Sequence, residues 1–463
     1  MSPGKEEKEQ EMGEERQTRG WKVSMWIALF FAILPSFAGA GIEIAAGTQP
    51  GKYMLKGHIV GPEDIGQGKL VIEGDKITCA ATDCQEPEGA TVISITDAYI
   101  FPGFIDAHNH VAYNVFPKWQ PPKVYSNRGQ WQSSTAYKEF KAPYNGLKKT
   151  VLCEMVKYGE VKALISGVTT IQGTAPDNAC YRTLIRNAEN QNELGTSSRH
   201  IRTYILDIKT FKGSVDWGKT KSFVVHLSEG VDEKSRGEFS TLKQKNLLSS
   251  GTAIIHGTAF GDPEFKAMGE AGAKLIWSPQ SNLALYGETT NIGLARKHGV
   301  PISLGVDWNA TGSDSIFDEL RIASKVNREK HDGIIPDAEW LNMITVNPAN
   351  ALALDSYIGR LAPGMKADIT VMRSHDRSPA RSLLENRLED VQMVWVGGDV
   401  LYADEGVLAK LKPDQCEPLT IHGAPKRICV KDTIDPAPKS GQTLTEITRA
   451  LKARYPGLAP LAP

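Results

Sequence analysis

Through the middle of the chain, short unbroken apolar runs alternate with longer stretches of helical period. The runs 100–107, 167–172, 201–208, 222–226, 252–256, 273–277 and 302–306 are short and mainly apolar, and they predict buried strands. Between them Leu147 to Ile165 and Tyr181 to Asn190 carry helical spacing. Buried strands alternating with helices predict a parallel α/β architecture, and this many in series favour a distorted (β/α)8 TIM-like barrel. Seven strands are convincing. Lys209 to Lys221 is too short for a full helix-strand-helix unit, so one barrel unit is degenerate in this reading.

The flanks have a different pattern. From Tyr53 to Ile100, β-type runs (53–60, 69–73, 76–81 and 91–95) are separated by Gly and Asp turns and predict a small antiparallel sheet. The same character returns at Asp368 to Met372 and Val391 to Tyr402. The expected organisation is a barrel at 99–357 and a small β-sandwich domain built from both chain ends, at 41–98 and 358–403. A weakly patterned C-terminal extension follows at 404–463. Val111 to Pro143 is rich in aromatics, Pro and polar residues and shows no clear period. A loop this long after a barrel strand predicts a lid or a substrate wall.

Residues 1–40 stand apart. A polar, charged leader precedes the apolar run Val23 to Pro35, which follows Arg19 and Lys22 and leads to Ala38-Gly39-Ala40. The run is shorter than the ~20 apolar residues of a spanning helix. It reads as a cleaved signal peptide, which predicts a periplasmic or secreted protein without stable membrane insertion. The six cysteines agree with export. They fall in sequence-local pairs, Cys79 with Cys84, Cys153 with Cys180 and Cys416 with Cys429, and such pairs predict disulfides in an oxidising compartment. Lys and Arg number 53 against 54 Asp and Glu, so no overall charge points to nucleic acid. A small-molecule substrate is expected, and a homo-oligomer is compatible.

The chemistry lies at the strand ends. Phe101-Pro-Gly-Phe-Ile-Asp-Ala-His108-Asn-His110 runs an apolar strand into two histidines one residue apart, which alternation places on one face. His226 ends the strand Phe223-Val-Val, with Glu229 three residues on. His256 ends Thr252-Ala-Ile-Ile, and Asp307 ends Ile302-Ser-Leu-Gly-Val. In a barrel the catalytic groups sit at the C-terminal strand ends. Four strand ends carrying ligand-type groups in phase therefore predict a metal site of histidine and carboxylate.

These motifs, together with Gly-Val-Thr-Thr, His-Leu-Ser-Glu, Ile-Ile-His-Gly, Ser278-Pro-Gln-Ser-Asn282 and Gly-Val-Asp, resemble the amidohydrolase superfamily. They are most similar to its branch of cytosine and guanine deaminases and triazine chlorohydrolases. Gly359 to Asp368 resembles the family's return into the small domain. The resemblance implies one divalent ion, Zn or Fe, held by His108, His110, His226 and Asp307. It implies Glu229, His256 and Asp307 as catalytic groups, with Glu229 shuttling protons and Asp307 accepting one from the metal-activated water. His256 would bond that water or polarise the substrate. Asn282 and Trp308 are candidate substrate-binding residues; Asn282 is equally readable as a turn cap. The implied reaction is hydrolysis of a non-peptide carbon–nitrogen bond in a small amide, amidine or aminated heterocycle. Two alternatives stay open. One is a two-metal amidase or dipeptidase-like hydrolase with a carboxylated Lys209. The other is a catalytically inactive secreted binding protein.

Overall fold

The computed structural model describes residues 41–61, 64–173, 184–189, 194, 196–412, 416–431 and 441–463. The expected signal peptide and Cys180 lie outside them. Among the described residues no helix is long and apolar enough to cross a membrane.

The flanking strands are β1 (Ile42–Ala45), β2 (Lys52–Ile59), β3 (Gly66–Glu73), β4 (Lys76–Ala81) and β5 (Thr91–Pro102). The central strands are β6 (Phe104–Asp106), β7 (Val168–Ile171), β8 (Arg186–Asn187), β9 (Ile201–Tyr204), β10 (Ser222–Leu227), β11 (Thr252–His256), β12 (Lys274–Trp277) and β13 (Ile302–Leu304). After them come β14 (Ile369–Arg373), β15 (Val391–Val396), β16 (Asp399–Asp404), β17 (Glu417–Ile421) and β18 (Ala424–Ile428).

Strands from both flanks join one ten-stranded sheet, in the order β17-β18-β16-β15-β14-β5-β2-β3-β4, with β1 on β5. Its ladder is continuous, and β2 runs parallel to β5, so the sheet is mixed rather than antiparallel. Two strands that the sequence left in an unpatterned tail, β17 and β18, complete one edge. Cys79–Cys84 and Cys416–Cys429 are disulfide-bonded.

The central strands are parallel and fall into a three-stranded sheet, β6-β7-β8, and a five-stranded sheet, β13-β12-β11-β10-β9. Past its strand end the β6 segment also bonds the β13 segment: Ala107 N donates to Leu304 O, Asp307 N to His108 O and His110 N to Asp307 O. Strands parallel within each sheet and taken in chain order, with α-helices after β6, β10, β11 and β12 among the described residues, make a TIM-barrel-type α/β fold. Among the described residues no ladder bond joins β8 to β9; the Gln172 amide instead donates to Thr203 Oγ1 at 3.1 Å.

Further expectations are corrected. The run 100–107 is two strands, because the chain passes from the flanking sheet to the barrel at Gly103, where an added Cβ would strike Thr169. The segment expected to be helical at Tyr181 to Asn190 is described at 184–189, where it holds the eighth strand, β8, at Arg186–Asn187 between a bend and a turn; a segment this short does not distinguish helix from strand by its period. The long loop after His110 contains two helices, Arg128–Ser133 and Thr135–Thr150, the second with Pro143 inside it. Proline and the crowding of aromatics hid the period. The helical stretch expected from Leu147 to Ile165 is the end of the second of these and a further helix, Leu152–Leu164, with a break at Val151.

Candidate metal centre

The β6, β10, β11 and β13 segments bring the polar groups to one place. His108 and His110 follow β6, His226 lies in β10 with Glu229 just past it, His256 closes β11, and Asp307 lies three residues beyond β13. Three residues here take left-handed backbone although none is glycine: Ser228 (φ 53°), His256 (φ 70°) and Asp307 (φ 67°). Such strain persists only where surrounding bonds fix it, and it clusters at functional sites. Asp307 is fixed by its two backbone bonds to the His108–His110 segment, and the His256 carbonyl accepts from Thr290 Oγ1 at 2.6 Å. Gly305 makes room for the cluster, since a Cβ there would lie 2.5 Å from His108.

The four histidines form a tight group. Ring centroids lie 4.6 Å apart for His108 and His226, 5.0 Å for His108 and His110, and 5.3 Å for both His108–His256 and His226–His256. Ligand atoms of His108, His226 and His256 lie within 4.8 Å of one another, as do those of His108, His110 and Asp307. His108 and His226 are buried, and none of their four ring nitrogens has a hydrogen-bond partner. Orphaned buried nitrogens are costly and rare; a divalent cation among them would engage their lone pairs. Burial pushes His226 well below the usual histidine range, with the neighbouring histidines adding to it. Burial likewise brings His110 down to about 4, against the pull of Asp307. Both rings are then neutral near pH 7, the form that ligates.

Asp307 behaves in the opposite way. Burial alone would raise it, but electrostatic attraction to the adjoining imidazoles of His108, then His110 and His256, holds its carboxyl well below the carboxylate range. Its Oδ1 lies 3.2 Å from His108 Nε2 and 3.4 Å from His110 Nε2, and its Oδ2 accepts from Ser281 Oγ at 2.5 Å. Neutral imidazoles with one ionised carboxylate form a donor set that suits zinc or iron.

Glu229 has two distinct oxygens. Oε1 accepts from Tyr286 Oη at 2.7 Å, which in turn accepts from Trp131 Nε1 at 2.7 Å. Oε2 faces His256 Nε2 at 3.7 Å and Arg128 Nη1 at 3.6 Å. His256 Nδ1 lies 2.9 Å from Asn282 Oδ1, and the Asn282 amide nitrogen donates to Thr289 and Thr290. With that oxygen as acceptor, a neutral His256 carries its proton on Nδ1 and turns the Nε2 lone pair toward the cluster.

Asn282 lies in the second position of this network, bonded to His256 on one side and to Thr289 and Thr290 on the other. It is fully buried, both ends of its amide are engaged, and it fixes the His256 tautomer. Trp308 is buried in an aromatic cluster with Tyr125, Trp131, Tyr137 and Tyr286, its ring 6.5 Å from that of His110. Lys209 sits exposed on a short 3-10 turn, Ile208–Thr210, and is not part of the donor cluster. Sequence reasoning missed Ser281, Tyr286, Trp131 and Arg128. Tyr286 was within reach: on the helix Pro279–Tyr286 it lies four residues after Asn282 and shares its face. Nothing local marks Trp131.

Beside this site Glu319, on the helix Ile316–Lys330, accepts from Gln280 N at 3.2 Å and from Ser313 Oγ. Burial pushes its carboxyl up to about 8 from 4.5, so the folded chain binds a proton there that the unfolded chain lacks. Its contribution is full below pH 4.5 and is lost as pH rises through about 8. Glu319→Gln is expected to flatten that slope, stabilising the fold by on the order of a few kcal/mol at pH 8 relative to wild type. Chemical denaturation across this pH range checks it; parallel profiles would refute it.

Residues 215–401, which include His226, Glu229, His256 and Asp307, match the amidohydrolase family. The chain is 22% identical over 409 residues to 5-methylthioadenosine/S-adenosylhomocysteine deaminase 1 of Syntrophus aciditrophicus (strain SB), covering 74% of this chain and 89% of that one. It is 30% identical over 197 residues to 5-methylthioadenosine/S-adenosylhomocysteine deaminase of Pyrococcus furiosus, covering 39% and 46%. Its fold is similar to that of atrazine chlorohydrolase from Arthrobacter aurescens TC1 complexed with zinc (TM-score 0.56, 16% identity, 75% of this chain and 95% of that one). An adenosine deaminase from Xanthomonas campestris with bound zinc is similar to the same degree (TM-score 0.57, 15% identity, 75% and 92%). Matched segment, fold and donor cluster agree: residues 215–401 match the amidohydrolase family, and the chain as a whole is similar to deaminases and a chlorohydrolase.

Proposed function

We propose that the protein is a metal-dependent hydrolase that cleaves a non-peptide carbon–nitrogen bond in a small amide, amidine or aminated heterocycle. The observation that supports this best is the buried pair His108 and His226, with four unbonded ring nitrogens, beside an ionised Asp307 and a Glu229 that turns one oxygen toward them. His108, His110, His226 and Asp307 would hold one divalent ion. Zinc is the first choice, since solved relatives bind it, and iron accepts the same donors. Such an ion, when bound, supplies Lewis acidity and lowers the pKa of water toward about 7.

The chain's own groups would handle the protons. Asp307, ionised and steadied by Ser281, accepts a proton from the attacking water at Oδ1. Neutral His256 accepts a hydrogen bond at Nε2, which orients that water; it could polarise a substrate oxygen only when protonated. Glu229 carries a proton at Oε2 to the leaving nitrogen while Tyr286 holds Oε1. Trp308 and its aromatic neighbours would form a substrate wall. The two disulfides and the apolar run at 23–35 support an exported, periplasmic or secreted enzyme.

The named relatives act on adenosine compounds and on atrazine. The test is a panel of adenine nucleosides, aminated heterocycles, amides, N-acyl amino acids and hydantoins, with ammonia release scored separately from amide cleavage. Hydrolysis of at least one compound is expected; complete silence from zinc-loaded protein would favour the inactive binding protein. Metal analysis is expected to find close to one zinc per chain, removable by chelation with a fall in melting temperature. Two equivalents per chain would overturn the one-ion assignment.

A further inference from the structure

The helix Thr135–Thr150 brings to the site a tyrosine that the proton scheme above leaves unused. Tyr137 lies in its first turn, where its backbone N–H donates to the capping Ser134 Oγ at 3.2 Å. Indoles hold its ring in place: Trp131 meets it edge-on at 4.7 Å between centroids, with Trp119 at 5.6 Å and Trp308 at 6.0 Å. Two of these neighbours lead to the centre. Trp131 bonds the tyrosine that holds Glu229, and the Trp308 ring lies 6.5 Å from that of His110. Tyr137 therefore packs against both the residue that serves Glu229 and the one beside His110.

The polar tips around it are engaged. Trp131 Nε1 donates to Tyr286 Oη at 2.7 Å, Tyr286 Oη to Glu229 Oε1 at 2.7 Å, and Trp308 Nε1 to Thr311 Oγ1 at 2.5 Å. The Tyr137 hydroxyl is not. Tyr137 is only 6% exposed, yet among the described residues its hydroxyl has no hydrogen-bond partner. A buried tyrosine hydroxyl ordinarily finds one, and an unpaired polar group calls for an explanation. Burial first, and then the charges of Glu229 and Asp307, push this hydroxyl up to about 12. Both carboxylates are thus near enough to act on it, and it keeps its proton across the neutral range. It is a donor beside the groups that would handle the substrate, with nothing in the protein to donate to.

Resting on the hydrolase reading above, we propose that Tyr137 is a substrate-binding residue whose hydroxyl donates to an acceptor atom, a ring nitrogen or a carbonyl oxygen, of a planar substrate. The substrate then completes the one polar tip that the aromatic cluster leaves open. A compound that lacks the acceptor leaves a buried donor unpaired, and a site built to hydrogen-bond its substrate discriminates strongly against such an analogue. The Trp131 and Trp308 rings supply apolar walls for the rest of the molecule.

Binding tests this without reference to turnover. Zinc-loaded full-length protein is titrated calorimetrically with 2-aminopyrimidine, 2-aminopyridine and aniline, flat rings of one size that carry two, one and no ring nitrogens. 2-Aminopyrimidine is expected to bind about tenfold or more tightly than aniline, with 2-aminopyridine between them. Tyr137→Phe removes the hydroxyl and keeps the ring. It is expected to weaken 2-aminopyrimidine by about tenfold and to leave aniline unchanged. Its melting temperature without these compounds should equal or exceed that of wild type, because the hydroxyl it removes has no protein partner. A preference for 2-aminopyrimidine that survives Tyr137→Phe is ring nitrogen on zinc alone and overturns the proposal. An equal loss for aniline makes the role one of packing and overturns it as well. So does a lower melting temperature, which would give the hydroxyl a partner within the protein, or the failure of all three compounds to bind. If binding depends on Tyr137 while the hydrolysis panel stays silent, the hydrolase reading fails and the Tyr137 contact stands.

Discussion

Replacing Glu229 with glutamine is expected to abolish hydrolysis while leaving the metal in place. The substitution keeps size and shape, and Tyr286 Oη can still donate to the amide oxygen that replaces Oε1. What disappears is the oxygen facing His256, and with it a group that can take up and release a proton. Positioned proton transfer contributes about 10²–10⁴ in rate. On the best compound of the panel, kcat should fall by about that factor while metal content and melting temperature match wild type. An unchanged rate would remove Glu229 from the proton path. A loss of metal alongside the rate would make it a ligand-shell residue instead. Tyr286→Phe withdraws the hydrogen bond to Oε1 and the acceptor of Trp131 Nε1 but leaves the carboxylate in place, so a smaller loss, about tenfold, is expected.

Asp307→Asn should do more, because it acts on the site itself. The carboxylate is the one negative group set directly against His108 and His110. The asparagine amide keeps the volume but removes the charge and offers a poorer ligand. Metal affinity is expected to fall by more than about a hundredfold, beyond the loss typical of outer-shell changes, and activity should fall to background. Competition with a chromogenic chelator reads the affinity directly. Circular dichroism should stay native, since the φ of 67° at this position is tolerated by asparagine as well as by aspartate. Full metal retention in Asp307→Asn would exclude the carboxylate as a ligand. Ser281→Ala removes a single hydrogen bond to Oδ2 and should cost only part of the affinity.

The two substitutions separate proton handling from metal holding, a distinction that strand-end motifs alone do not draw. His108, His110, His226, His256, Glu229 and Asp307 were all readable in sequence, because each ends or follows a short apolar strand and parallel strands place such ends together. Their partners were not. Trp131 reaches Tyr286 across 155 positions, and Asn282 reaches His256 across 26. No spacing rule connects side chains on different strands and loops. Asn282 shows the consequence. In sequence it is a polar residue beside a pocket, and only burial of both its amide atoms makes it the partner that fixes a histidine.

The amino-acid sequence by itself determined the class of this protein. Short apolar runs closed by histidine and aspartate give a parallel α/β fold with a metal-type donor set, since strand length and strand-end polarity are local properties. Tertiary structure alone decided the rest. It split the first strand at Gly103 and found an eighth strand of two residues in an expected helix. It folded a patternless loop into two helices over the site and left Lys209 in solvent. These outcomes depend on which distant segments share a ladder or a buried contact. The same local sequence is compatible with several such pairings, and packing selects one of them.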